Sequence, residues 1–198
     1  MDQLFCSVLE YLQAGGPVMI PILLVSLLMW FLIVDRVLFM RRLFFKNIPR
    51  VQAGQYVQKN EAPERKFKGV NATLVREFLL RRTGNRELDD FILDEVVLGM
   101  ASSVEKYLTL ITVLSRVAPL LGLLGTVTGM MVTFDVITVF GTGNARAMAG
   151  GISEALITTQ TGLLVSIPGL YMSGFLQKRA INLKHRIAAT GMYLKRFI

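Results

Sequence analysis

The sequence contains one cysteine, one histidine and one tryptophan among its 198 residues. A single cysteine excludes an intrachain disulfide bond. The histidine, His185, stands between Lys184 and Arg186 in a polar stretch, and no other metal-ligating side chain is spaced to join it. We therefore expect neither a metal site nor any other cofactor.

The chain also lacks the motifs that carry common enzymatic chemistry. It has no glycine-rich phosphate-binding loop, no dinucleotide fingerprint and no nucleophile with a matching base. These absences give no support to an ATP-driven pump or a membrane hydrolase. We expect the protein not to be an enzyme.

Charge is unevenly distributed along the chain. The net charge is +8 and 53% of the residues are hydrophobic. In a soluble protein such a basic balance would suggest a nucleic-acid partner. Here long apolar blocks alternate with charged ones, which is typical of a membrane protein with basic flanks, so we expect contact with a lipid bilayer and none with nucleic acid.

Three stretches have the length and composition of transmembrane helices. Basic residues follow the first stretch at Arg41 and Arg42 and the third at Lys178 and Arg179, which predicts an N-terminus outside and a C-terminus inside. The predicted segments are an outer N-terminal segment (1–16), transmembrane helix 1 (17–40), a cytoplasmic helical insert (41–114), transmembrane helix 2 (115–140), an outer connection (141–150), transmembrane helix 3 (151–177) and a cytoplasmic C-terminal helix (178–198).

Helical spacing dominates the insert as well, so the predicted fold class is all-α. Asn60–Gly69 is a plausible linker, and Asp89 and Asp90 are typical of a helix start. The apolar stripe that follows predicts an amphipathic helix running unbroken into transmembrane helix 2. The insert is too small to bury a substantial core alone, so we expect it to bundle with the C-terminal helix and with neighbouring subunits.

Helices 2 and 3 each carry a stripe of small and hydroxyl-bearing residues. Such a stripe avoids lipid and faces either another helix or a pore, and the pattern leaves both possibilities open. Gly125-x-x-x-Gly129 is a close-approach motif, and Pro119 is expected to kink or loosen its helix. The stripes comprise Pro119, Gly122, Thr126, Gly129 and Thr133 on helix 2, and Ala155, Thr159, Gly162, Ser166, Gly169 and Ser173 on helix 3.

From these stripes we predict two groups of functional residues. The close-packing group contains Pro119, Gly122, Gly125, Gly129 and Gly162. Among the hydroxyls, Thr133 and Ser166 are candidates for lining a narrow, wettable pore.

Only two acids, Asp135 and Glu154, fall within the apolar helices, and hydropathy places both near the outer end. Asp135 can be a rim residue facing outside water, a partner of Arg146 or a functional acid. Glu154 can be a functional acid, or an acid in the first helical turn beside a capping Ser153. No carboxylate lies at the central level, so a proton path through the membrane would need a titratable group from a partner helix.

The runs APLLGLLGTVTGMMVTF (118–134) and ISEALITTQTGLLVSIPGL (152–170) resemble the second and third transmembrane helices of the ExbB/TolQ/MotA proton-channel family, most closely the ExbB branch. The likeness covers the C-terminal half well, whereas the first helix and the insert match only in layout. Gln160, the additional Thr158, Asp135 and Arg146 depart from the usual pattern.

This resemblance implies a homopentamer in the bacterial inner membrane, surrounding an ExbD-like single-span partner that supplies a transmembrane aspartate and driving a TonB-like protein. It implies pore-lining roles for Thr126 and Thr159, an intramembrane role for Glu154 and a helix-proline role for Pro119. If the two threonines share one level, helix 3 must begin near Arg146. A TolQ-like or gliding-type stator, or a non-conducting helical scaffold, remains an alternative.

Overall fold

The computed structural model describes residues 11–12, 14–44, 47–64, 66–141 and 144–198, and this part of the chain is helical with short connections. Three stretches, Met19–Phe44, Arg86–Phe140 and Ala145–Phe197, are long and apolar enough to cross a membrane, which confirms the predicted all-α class with three spanning stretches. Residues 1–10 and 13 of the predicted N-terminal segment, 45–46 and 65 of the predicted insert, and 142–143 of the outer connection lie outside the described residues. The helices are α1 (Met19–Phe44), α2 (Arg50–Lys59), α3 (Val70–Arg81), α4 (Arg86–Glu105), α5 (Leu108–Phe140), α6 (Ala145–Leu194) and a final 3-10 turn (Lys195–Phe197).

The chain divides into two compact units. Unit 1 comprises Met1–Ile33 and Leu110–Ser173, and unit 2 comprises Val34–Thr109 and Gly174–Ile198. Unit 1 therefore contains most of α5 and the first parts of α1 and α6. Unit 2 contains α2, α3 and α4 together with the last parts of α1 and α6.

Unit 1 packs around small and sulfur-containing side chains. Met29 of α1 is fully buried, and the hydroxyl of Ser115 on α5 lies 3.3 Å from its Sδ atom. Gly169 of α6 faces the same place, because a Cβ atom built on it would lie 2.8 Å from Ser115 Oγ. All three helices of this unit thus meet around Met29.

Unit 2 has an apolar core to which α1, α2, α3, α4 and α6 all contribute buried side chains. Its α6 contribution is a stripe of residues that are all buried: Leu176, Ala180, Leu183, Ile187 and Leu194. The side chain of Asn71 forms two buried hydrogen bonds in this core. It accepts from the Thr190 hydroxyl over 3.0 Å and donates to the Ile48 carbonyl over 2.8 Å. Within unit 2, α3 of the insert therefore contacts α6, and bundling with neighbouring subunits stays a prediction.

The starts and ends of the helices follow local chemistry. Asn85 caps α4 by accepting from the Glu87 N–H at 3.1 Å, and Asn144 caps α6 by accepting from the Ala147 N–H at 3.1 Å. Asn60 ends α2 in the left-handed conformation, with φ 54°, and opens the predicted linker.

The expectation of one unbroken helix from the insert into transmembrane helix 2 is wrong. The chain turns at Lys106 and Tyr107, where Tyr107 has φ 66°, so α4 ends at Glu105 and α5 begins at Leu108. Arg36 holds this turn within unit 2: it is buried, donates to the Ser103 carbonyl over 3.1 Å, and its guanidinium lies 5.0 Å from the centre of the Tyr107 ring. The sequence shows no glycine or proline here, so pattern reasoning alone misses the break.

Candidate functional site

In unit 1, α5 and α6 pack along a continuous seam of buried residues, which we call the α5–α6 seam. Its members recur at steps of three and four on each helix, which keeps them on one face. On α5 they are Ile111, Ser115, Ala118, Gly122, Gly125, Gly129 and Thr133, and on α6 they are Gly151, Ala155, Thr158, Gly162, Ser166, Gly169 and Ser173.

The glycines of the seam permit direct contact between the two helix backbones. A Cβ atom built on Gly162 would lie 2.7 Å from the Ala118 carbonyl oxygen. One built on Gly129 would lie 2.7 Å from the Gly151 carbonyl oxygen, and one built on Gly122 would lie 3.1 Å from the Thr158 carbonyl oxygen. Gly125 faces the Thr158 side chain at still closer range. The four predicted packing glycines thus all stand where the helices meet, and Pro119 lies within α5, half-buried beside the seam.

Two of the predicted pore hydroxyls are buried inside unit 1. The Ser166 hydroxyl donates across the seam to the Ser115 carbonyl over 2.8 Å. The Thr133 hydroxyl donates to the Gly129 carbonyl of its own helix over 3.1 Å. Both hydroxyls therefore have acceptors within one chain, and a pore-lining role for them stays a prediction.

Thr126 and Thr159 lie at the margin of the seam and are half-buried. The Thr159 hydroxyl is 3.2 Å from the Gly122 carbonyl on α5 and 3.2 Å from the Ala155 carbonyl on its own helix. The Thr126 hydroxyl donates to the Leu123 carbonyl over 2.7 Å. Thr158, rather than Thr159, occupies the fully buried position. Both predicted threonines therefore remain partly accessible in a single chain.

Glu154 lies in the third turn of α6, because the helix begins at Ala145. The alternative that Glu154 is a first-turn acid beside a capping Ser153 is wrong, since Asn144 provides the cap. The helix start near Arg146 that the family resemblance required is confirmed. Glu154 is half-buried, and its carboxylate packs against the backbone of Gly16, which has φ +65°.

A second contact joins the chain before α1 to the same helix. The Tyr11 hydroxyl lies 3.1 Å from the Thr161 hydroxyl, which itself donates to the Ile157 carbonyl over 2.7 Å. Glu154 and Thr161 are thus both contacted by the segment that precedes α1. Sequence reasoning missed Tyr11 and Gly16, and the only signal for them was the glycine pair before Pro17, which marks a tight turn.

The remaining departures from the family pattern lie at the surface of unit 1. Asp135, Arg146 and Gln160 are exposed, and no ion pair joins Asp135 to Arg146 among the described residues. Within the same part of the chain, no cluster of three or more His, Cys, Asp or Glu side chains could hold a metal ion. The chemistry along the α5–α6 seam therefore rests on hydroxyls, backbone carbonyls and the half-buried carboxylate of Glu154.

Comparison with known proteins agrees with this arrangement. The chain is 32% identical over 166 residues to the biopolymer transport protein ExbB-like 3 of Synechocystis, covering 80% of this chain and 79% of the relative. It is 29% identical over 188 residues to the biopolymer transport protein ExbB of Neisseria meningitidis, covering 84% of this chain and 85% of that protein. The model of the MotA/TolQ/ExbB proton channel family matches residues 61–189. With its three spanning stretches, the chain is a multi-pass membrane protein that belongs to the MotA/TolQ/ExbB proton channel family.

Proposed function

We propose that this protein is the proton-channel stator subunit of an ExbB–ExbD-type motor, which uses the proton-motive force to energise TonB-dependent transport across an outer membrane. The names of its relatives support this branch of the family. In this proposal the protein resides in a bacterial inner membrane with its N-terminus outside. The reason is that basic residues follow the uncharged part of α1 and recur in the last part of α6.

The position of Thr126 and Thr159 carries the proposal. Both side chains lie beside the α5–α6 seam and remain partly accessible. Most other residues of the predicted small and hydroxyl-bearing stripes are buried. Thr126 follows Gly122 by one helical turn, and the Gly122 carbonyl accepts from Thr159. The two hydroxyls and this carbonyl would form a polar edge on an otherwise apolar pair of helices, suited to face a partner helix within a pore.

The charge pattern supports an acid supplied by a partner. No Asp, Glu, Lys or Arg occurs in 117–134 of α5 or in 155–177 of α6. A proton crossing this level would therefore need an aspartate from an ExbD-like single-span protein. The driving energy is sufficient, since one proton gains roughly 2.3 kcal/mol per 100 mV of membrane potential.

Exposed apolar side chains support assembly into a ring. They occupy the faces of α5 and α6 away from the seam, where either lipid or a neighbouring subunit can cover them. We propose the pentamer that the family resemblance implies. The side chains are Leu120, Leu123, Val127, Met131 and Phe134 on α5, and Leu156, Leu163, Ile167, Leu170 and Tyr171 on α6.

The proposal is tested by co-expressing the chain with a one-span protein that carries a membrane aspartate and is encoded beside it. The mass of the purified complex should correspond to five copies of this chain around the second polypeptide. A complex that contains only this chain, with no proton flux in vesicles, would contradict the proposal. A neighbouring gene for a TonB-like protein would favour the ExbB branch over a TolQ-like or gliding-type stator with a different load.

One observation favours a second candidate, a non-conducting helical scaffold. Ser166, Thr133 and Thr158 are buried within one chain, so much of the hydroxyl stripe serves helix packing. A scaffold would need only this packing. The two candidates predict different results when the Thr159 hydroxyl is removed. A channel would lose ion flow, whereas a scaffold conducts no ions and would lose none.

A further inference from the structure

A basic cleft lies in unit 2 between the last turns of α1 and the middle of α6. Its inner part has a volume of about 320 Å³ and its outer part about 560 Å³, and Phe44 and Arg179 line both. We call it the Phe44 cleft. Its other lining residues are Val37, Met40, Arg41, Phe175, Leu176, Asn182 and Arg186.

Two arginines form cation–π contacts with the aromatic side chains of this cleft. The Arg179 guanidinium lies 5.5 Å from the Phe44 ring centre and 4.9 Å from the Phe175 ring centre. The Arg186 guanidinium lies 5.3 Å from the Phe44 ring centre on the same wall. These contacts use the faces of the aromatic rings as partners for the positive charge, and a guanidinium group has five N–H donors, which suits recognition of an oxyanion.

No carboxylate in the described part of the chain forms an ion pair with Arg179 or Arg186. Two acids of unit 2 on or facing the same helices pair with other basic residues: Asp35 with Arg36 over 2.9 Å, and Glu105 with Lys184 over 2.5 Å. Both arginines are exposed, so they do not serve a buried internal network. The cleft therefore presents two positively charged groups toward an external anion.

The inner end of the cleft is apolar and continues the membrane-spanning parts of its helices. Val37 and Met40 precede Phe44 on α1, and Leu176 lies at the end of the uncharged stretch of α6, just before Lys178 and Arg179. The apolar end and the charged end of the cleft thus lie at different levels along the helix axis. An anion bound here would carry a hydrocarbon chain on the side that faces the membrane.

We propose that the Phe44 cleft binds an anionic phospholipid, with its phosphate between Arg179 and Arg186 and one acyl chain against Val37 and Met40. Basic pockets between helices at a membrane surface are suited to such headgroups. A free inorganic phosphate would use the arginines but leave the apolar end of the cleft without a role. This proposal rests on membrane insertion and does not depend on proton conduction.

The test measures lipid retention by the full-length protein with native mass spectrometry after delipidation in detergent. The protein is titrated with dioctanoyl phosphatidylglycerol, with dioctanoyl phosphatidylcholine and with inorganic phosphate as a third arm. We expect phosphatidylglycerol to be retained and the other two not. The double variant Arg179→Gln with Arg186→Gln should lower phosphatidylglycerol affinity roughly tenfold, because each arginine near a membrane surface contributes to anionic-lipid binding.

Arg50→Gln with Arg86→Gln is the matched control, since it removes the same charge from exposed arginines of unit 2 outside the cleft. This control should bind as the wild type does. An equal loss in both double variants would overturn the proposal by showing general surface attraction, and binding of phosphate as strong as that of phosphatidylglycerol would overturn the lipid assignment.

A measurement on the wild-type protein keeps the proposal testable even if the variants misfold. Addition of phosphatidylglycerol should slow amide hydrogen exchange in 37–44 and 175–186, and phosphatidylcholine should not. Absence of this protection in wild-type protein that binds phosphatidylglycerol would place the lipid elsewhere and overturn the proposal.

Discussion

The carboxylate of Glu154 lies against the backbone of Gly16, in the space that a Cβ atom at residue 16 would occupy. Gly16 also has φ +65°, which L-residues with side chains adopt at a cost. Two independent features therefore require glycine at this position. This contact ties the turn before α1 to the one carboxylate in the membrane part of α6.

We predict that Gly16→Ala destabilises the protein beyond the cost of its backbone conformation. The positive φ alone costs on the order of 1–2 kcal/mol, and displacement of Glu154 adds to it. The measurement is thermal unfolding of the purified protein in detergent. Gly141→Ala is the control, because Gly141 has φ +63° and nothing within 4 Å of the added Cβ atom.

A double-mutant cycle locates the additional cost of Gly16→Ala. If the added methyl group acts through Glu154, then Gly16→Ala should cost less when Glu154 is already alanine. The Gly141→Ala cost should be the same in both backgrounds. An unchanged Gly16→Ala cost in the Glu154→Ala background would contradict the contact.

Glu154→Gln is expected to weaken energised transport more than it weakens assembly. Glutamine keeps the shape that packs on Gly16 but removes the ionisable group, so packing is preserved while proton chemistry is not. The measurements are transport driven by the proton-motive force and the amount of assembled complex. Parallel loss of transport and assembly would show that Glu154 serves structure alone.

Gly162→Ala is predicted to disrupt the α5–α6 seam. The added Cβ atom would lie 2.7 Å from the Ala118 carbonyl oxygen and 3.2 Å from the Gly122 Cα atom, so the helices would have to separate. Overpacking of this kind typically costs about 1–3 kcal/mol, which thermal unfolding in detergent would register. Gly150→Ala on the same helix meets no atom within 4 Å and should be neutral or slightly stabilising. Equal effects of the two changes would contradict the close approach at Gly162.

Asp89 should stabilise the turn before α4 in a pH-dependent way. Burial alone would raise the pKa of this carboxyl, but hydrogen bonds from the Thr83 N–H and hydroxyl, the Gly84 N–H and Arg82 outweigh it and place the pKa below 3.8. A lowered pKa means that the stabilisation is present above 3.8 and is lost as the pH falls through the folded-state value.

The corresponding measurement compares unfolding and amide exchange of Asp89→Asn with those of the wild type. At pH 7 the variant should expose the Thr83 and Gly84 amides, and the difference from the wild type should shrink only in strong acid. Glu87→Gln, an exposed change in the first turn of α4, should leave these amides protected. Equal protection in Asp89→Asn would contradict this role for Asp89.

Helical periodicity predicts that α5 and α6 each have one face of small residues. It does not determine which of two adjacent residues lies at the centre of that face. Steps of three and four fit both Thr126 and Thr159 and their neighbours Gly125 and Thr158, because a helix has 3.6 residues per turn. The structure places Gly125 and Thr158 inside the seam and the two predicted threonines at its margin. Only packing against the facing helix distinguishes these registers.

Other features of the chain carried little local signal. Hydropathy starts the third span at Gly151, whereas the Asn144 cap starts α6 at Ala145. The pairing of Gly16 with Glu154 joins positions far apart in sequence, which no local pattern reveals. The turn at Tyr107 depends on Arg36 from another helix, so propensity at the turn itself did not predict it.

The central claim, that the Thr159 hydroxyl belongs to a proton path, is tested most directly by Thr159→Val in vesicles containing the complex with its one-span partner. Valine keeps the shape of the side chain and removes the hydroxyl, and Thr138→Val is the control because that exposed hydroxyl donates only within its own helix, to the Asp135 carbonyl at 2.8 Å. We predict that proton flux falls roughly tenfold in Thr159→Val, equivalent to about 1.4 kcal/mol, with normal assembly and no change in the control. Wild-type flux in a normally assembled Thr159→Val complex would contradict the account.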